Sequence, residues 1–217
     1  MKTDTELQRD IICELRWEPS LPEAGIGVDV DDGVVTLSGH VDSYAQQLAA
    51  VRAAERVRGV RAINNALRVR VPSWYRRGDA EITHAIANIL HWDSEIPDDR
   101  ITATVENGWV TLAGRVDWQY QKEAAEAAIR HLVGVTGVTN GIALSPVITM
   151  NGVKSKIEAA FERSATLDSE YIAVEAHDGA VVLRGTVRSW AERHTAERIA
   201  WSAPGVHSVR DELVIDE

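Results

Sequence analysis

A single cysteine, Cys13, occurs in 217 residues, so no intrachain disulfide can staple the fold. Long apolar runs are also missing. No stretch approaches the roughly 18 consecutive apolar residues that a membrane-spanning helix needs. The opening residues, Met1-Lys2-Thr3-Asp4-Thr5-Glu6, are polar and acidic where a secretory leader would start basic and turn apolar. Together these absences set the expectation of a cytoplasmic protein. Positive charge is short as well. The formal net charge is −10, and residues 1–72, 73–149 and 150–217 carry −2, −4 and −4 of it. Nucleic acid and anionic membranes both require clustered Lys and Arg, and acidic thirds throughout speak against either partner.

Signatures of catalysis are lacking in the same way. No serine stands in a Gly-x-Ser-x-Gly elbow, no phosphate-binding loop occurs, and Gly25-Ile-Gly27 does not complete a dinucleotide fingerprint. Cys13 lies mid-helix beside Ile11 and Ile12, where a half-buried, inert thiol is expected. His84 and His91 share a helical face two turns apart, too far to grip one ion. The expectation is a protein without catalytic residues, metal or cofactor.

What the chain does contain is one pattern written three times. Gly33-Val-Val-Thr-Leu-Ser-Gly39, Gly108-Trp-Val-Thr-Leu-Ala-Gly114 and Gly179-Ala-Val-Val-Leu-Arg-Gly185 are versions of one motif. In each, a glycine followed by valine (Gly59, Gly134, Gly205) comes 20 residues after the second motif glycine. Ahead of each motif, apolar residues at Leu7, Ile11, Leu15; Ile82, Ile86, Leu90; and Val153, Ile157, Phe161 have helical spacing. Thr3 with Glu6, Asp79, and Thr149 or Asn151 are the expected caps of these helices.

Alternating runs from Ile26, Ile101 and Ile172 then read as strands, each entering Asp32-Gly33, Asn107-Gly108 or Asp178-Gly179, the signal for a two-residue hairpin. The second strands are expected at 34–41, 109–116 and 180–187. Asp42 or Ser43, Asp117, and Ser189 with Glu192 are expected to cap alanine-rich second helices that stop at Gly59, Gly134 and Gly205. A last strand follows each. The fold class is therefore α+β: three tandem α-β-β-α-β units at 1–72, 78–146 and 149–217. Each has a three-stranded mixed sheet with both helices on one face.

The element order, the Gly-x-Val-x-Leu-x-Gly-x-Val hairpin, the alanine-rich helix and the Gly-Val-x-x-Ile/Val-x-Asn/Asp endings (59–65, 134–140, 205–211) resemble the BON domain. The resemblance implies a small bacterial binding module of the kind found in osmotically induced periplasmic proteins and outer-membrane lipoproteins. It further implies phospholipid or membrane-surface association as one function, attributed in the lipoproteins to the first helix of the second unit. Here that helix carries Glu81, His84, Asn88 and His91 and no Lys or Arg. Protein–protein contact by a non-catalytic scaffold is the leading reading, with lipid binding and small-ligand sensing as alternatives.

The aromatic residues mark where contact is expected. Trp17 and Trp92 share one repeat position and are expected to close the core edge. Trp109 falls on the outer face of its strand, where the other repeats have Val34 and Ala180. That face is expected to be polar in the first repeat and more apolar in the second and third, through Ala173, Val182 and Val214. Trp109 and Thr111, with Trp74, Tyr75, Trp118 and Tyr120, form the candidate interaction surface, serving inter-domain packing, a protein partner or self-association.

Overall fold

Thr3 and Glu6 start the first helix as their spacing predicts. In the computed structural model, which describes residues 2–21, 25–145 and 152–216, the Thr3 hydroxyl accepts from the Glu6 N–H at 3.3 Å. The Glu6 carboxylate accepts from the Thr3 N–H at 2.9 Å, closing a capping box. These bonds from Thr3 hold the Glu6 carboxyl below its usual pKa. The helix, α1 (Asp4–Trp17), buries Leu7, Ile11 and Leu15. Two more helices repeat the pattern: α3 (Asp79–Trp92) buries Ile82, Ile86 and Leu90, and α5 (Val153–Glu162) buries Val153, Ile157 and Phe161. Thr149 and Asn151, the expected caps of α5, lie outside the described residues.

Strand β1 (Ile26–Asp31) runs antiparallel to β2 (Val34–Val41), helix α2 (Tyr44–Glu55) crosses over, and β3 (Ala62–Val69) returns parallel to β2. The second repeat has β4 (Ile101–Glu106), β5 (Trp109–Val116), α4 (Gln119–Ile129) and β6 (Gly137–Leu144). The third has β7 (Ile172–His177), β8 (Ala180–Val187), α6 (Trp190–Trp201) and β9 (Ser208–Ile215). In all three sheets the eight-residue hairpin strand is central. Its inner residues, such as Val35, Leu37 and Val41, are fully buried under the two helices, whose small side chains (Ala50, Ala53, Ala54 in α2) let them lie close. The chain divides into two units, residues 2–143 with the first two repeats and 144–217 with the third. Within the first unit, Tyr44 of α2 is half-buried beside α4: burial, then Glu126, raises its phenol pKa, against a smaller opposing effect of Arg130.

Two glycine positions are demanded by backbone geometry. Asp32 and Gly33 have φ of 46° and 74°, and the pairs Asn107-Gly108 and Asp178-Gly179 match them. Positive φ at both central residues is the hairpin turn whose twist suits the flanking strands. The second motif glycines, Gly39, Gly114 and Gly185, have φ of 106°, 140° and 125°. There a Cβ would land on the carbonyl oxygens of Gly25, Arg100 and Tyr171. Gly59, Gly134 and Gly205 do not stop the helices as expected. The helices end at Glu55, Ile129 and Trp201, and these glycines close a further turn whose carbonyl faces the hairpin glycine of the same repeat.

Two expected caps are corrected. Trp118, not Asp117, precedes α4, and Gln121 accepts from the N–H groups of Asp117 and Trp118 at 3.1 Å each. The Asp117 carboxylate instead meets Arg100 at 3.0 Å. Gly78, not Asp79, precedes α3, with the Glu81 carboxylate accepting from its N–H at 2.9 Å. Asp79 is thereby freed for a longer reach: its two oxygens accept from the Asn107 and Gly108 N–H groups at 2.8 and 2.9 Å. Asp4 does the same for Asp32 and Gly33 at 3.1 and 3.3 Å. One carboxylate thus ties the start of the first helix to both amides of the hairpin turn. Asp79→Asn, which removes the charge and one acceptor, is expected to cost about 1–2 kcal/mol in urea unfolding. It should also speed hydrogen exchange at Gly108; unchanged exchange there would show that the carboxylate does not hold the turn.

Candidate interaction surface

Trp109 opens β5 directly after the turn, and the alternation of the strand sends its indole to the face away from the helices, since Val110 and Leu112 are fully buried. It remains 50% exposed. The contacts it makes are within its own sheet. Its Nε1 donates to the Thr139 hydroxyl on β6 at 2.9 Å, and its six-membered ring covers Gly137, where any Cβ would collide with it. The other repeats pair smaller partners at these sites, Val34 with Ala62 and Ala180 with Ser208. Tryptophan over glycine is thus a size exchange particular to the second sheet, an aromatic ring shielding a bare backbone.

Charge on this face stands only at its ends, Glu106 opposite Trp109 and Arg115 near the end of β5, and the middle is uncharged. Thr104 lies opposite Thr111 and Thr102 opposite Ala113, with Thr139, Gly141 and Ala143 exposed on β6. Thr111 itself is half-buried. The first repeat carries Asp29 opposite Thr36 and an exposed Arg68 on the corresponding face. The third repeat departs from expectation. Val214 is 60% exposed as an apolar face requires. However, Arg184 sits between Glu175 at 2.6 Å and Glu212 at 2.7 Å, and Arg210 adds a further pair to Glu212 at 2.8 Å. A row of ion pairs crosses the middle of that face, whereas the second sheet keeps the middle of its face free of charge, with Glu106 and Arg115 at its two ends.

Trp118 and Tyr120 do not join Trp109 in one patch. Trp118 (37% exposed) and Tyr120 (52%) follow the far end of β5, eight residues and about 25 Å along the strand. Trp74 and Tyr75 form a short turn after β3, rings 6.4 Å apart and both exposed. Their neighbours Arg76 and Arg77 share a cavity with Asn107 and Gly108, which places this turn at the Trp109 end of the second repeat. Trp17 and Trp92 do not close the core edge: they are 82% and 83% exposed. Cys13 is exposed rather than half-buried. All seven histidines are exposed; His91 Nδ1 lies 2.8 Å from an Asp98 carboxylate oxygen. Among the described residues, no three His, Cys, Asp or Glu side chains gather as metal ligands would, and no helix is long and apolar enough to cross a membrane.

The BON domain model matches residues 3–71, 78–146 and 151–217. Osmotically-inducible protein Y of Escherichia coli (strain K12) is 34% identical over 145 residues, 64% of this chain and 71% of that protein. Among solved structures, CdsD, a structural protein of the type III secretion system of Chlamydia trachomatis, aligns over 97% of this chain and 92% of its own at 15% identity and a TM-score of 0.28. The C-terminal domain of CdsD aligns over 100% of both chains at 14% identity and a TM-score of 0.25. Scores this low give these two alignments no weight.

Proposed function

The chain belongs to the BON domain family, and on that premise we propose a non-catalytic binding protein of the osmotic-stress response, acting through protein contacts of its second repeat. The half-exposed Trp109 beside the uncharged middle of its sheet face carries this reading. A flat surface of threonine, alanine and glycine around an indole is cheap to desolvate, and tryptophan is the side chain most enriched among residues that dominate binding energy. The likeness to an osmotically inducible protein supplies the setting. The three repeats share their turn and strand-end geometry and differ on this face, as expected of a scaffold whose specificity lies in one module.

A photo-reactive amino acid at Thr111, in cells before and after osmotic upshift, tests the reading. Cross-links to a defined protein, or between two chains, are expected, and Trp109→Ala should abolish them. The same probe at Thr36, the equivalent position in the first repeat, should stay silent. Trp109→Ala should cost only about 2 kcal/mol of stability, since half the indole is already in water, against roughly 3–5 for a fully buried one. Equal cross-linking from Thr36 and Thr111, or cross-linking that survives Trp109→Ala, would refute the reading.

A further inference from the structure

One segment of this acidic chain is strongly basic. Between Glu55 and Asp79 there is no acidic residue, and seven arginines occur: Arg56, Arg58, Arg61, Arg68, Arg70, Arg76 and Arg77. Arg56 is spent on Glu14 and Glu18, and Arg61 on Asp32. Among the described residues no carboxylate pairs with Arg70, Arg76 or Arg77, and these three line one cavity of about 590 Å³. Its floor is the hairpin turn Asn107–Gly108 and the first residues of α3. Arg77 uses one N–H on the Arg76 carbonyl at 2.9 Å, which fixes its side chain and leaves its other donors available.

We propose that this cavity binds a phosphate group. Three guanidinium groups offer the bidentate donors that phosphate oxygens fit, and the first turn of α3 adds its partial positive charge. Asp79 is the one carboxylate among the lining residues, and both its oxygens are engaged by the amides of Asn107 and Gly108. Glu81 is directed to the Gly78 N–H. The local field therefore favours an anion inside a chain of net charge −10, where a solvated, purely structural linker has no need of unpaired cations gathered round a hollow. The site is independent of the Trp109 face and stands or falls separately from it.

Titration calorimetry of the full chain with inorganic phosphate and pyrophosphate tests it, alongside co-sedimentation with phosphatidylglycerol and phosphatidylcholine vesicles. Saturable binding is expected, weakened about tenfold or more by Arg76→Gln with Arg77→Gln, as loss of two charge-assisted donors requires. Arg9→Gln with Arg52→Gln, the same charge change on exposed helical positions, should leave binding intact, and thermal unfolding should show both variants folded. Binding of inorganic phosphate or pyrophosphate identifies a free ligand. Binding of phosphatidylglycerol vesicles without binding of inorganic phosphate or pyrophosphate overturns the proposal. No binding in any arm, or equal weakening by the two double variants, overturns the site.

Discussion

Replacing Gly114 with alanine is expected to destabilise the unit at 2–143 by about 3–4 kcal/mol, lowering its urea midpoint with little change in slope. The cause lies entirely in backbone. Gly114 has φ of 140°, a region that side chains rarely adopt, and its added Cβ would fall on the Arg100 carbonyl oxygen and within 3.1 Å of Ile101 Cα. Neither neighbour is the end of a flexible side chain that could swing aside. Gly114 pairs with Ile101 in the β4–β5 register, so relief requires β4 to part from β5 at its first residue, exposing Ile101, now buried. Dihedral strain of about 1–3 kcal/mol then adds to the loss of pairing and of buried apolar surface. The repeats supply their own controls. Gly39 and Gly185 meet the Gly25 and Tyr171 carbonyl oxygens in the same way, and alanine there should cost a similar amount. A loss below about 1 kcal/mol at all three would mean that the strand ends yield freely and that this glycine is not required.

The scaffold was legible because its signals are local. Asp-Gly and Asn-Gly dipeptides between alternating runs locate the hairpins, and the central strands, Val34–Val41, Trp109–Val116 and Ala180–Val187, fall where alternation places them. Features set by pairings distant in sequence were not legible. Asp79 reads as a helix cap because capping is the local use of an aspartate at a helix start. Its partners lie 28 and 29 residues away. The recurrence at Asp4, with Met150 at the same position of the third repeat, was the available signal. Trp17 and Trp92 recur at one repeat position, yet helix geometry turns both away from the core. Each lies two residues beyond the last buried leucine, about 200° round the helix, and so on the opposite side from the core. On the third sheet, Val182 and Val214 share the face with Arg184, whose cross-strand neighbours include Glu212; only the register reveals that charge closes the face. Trp109 over Gly137 depends in the same way on which residues of β5 and β6 are neighbours.

Phe161→Ala is expected to cost the unit at 144–217 about 3–5 kcal/mol and to expose the β8 amides to hydrogen exchange. Phe161 is the one phenylalanine in the chain, is 1% exposed, and heads the fully buried side chains by volume. It shares its core with Ile157, Val174, Val181, Leu183, Ala196 and Ala200. Its large ring answers to a change elsewhere in the repeat. The second repeat fills its core with Leu90 on the first helix and Ile129 on the second, whereas the third has Phe161 and Ala200 at those positions. Truncation to alanine would leave a void that Ala196 and Ala200 cannot fill, since neither has atoms beyond Cβ to move into it. The first repeat predicts the milder case. It combines Leu15 with Ala54, both buried, and is a folded example of the smaller pair. Phe161→Leu should therefore cost only about 1 kcal/mol, and Phe161→Leu with Ala200→Ile, which recreates the second repeat's combination, should recover most of that loss. Equal losses from alanine and leucine at this position would show that the aromatic ring itself, rather than the volume it fills, stabilises the third repeat.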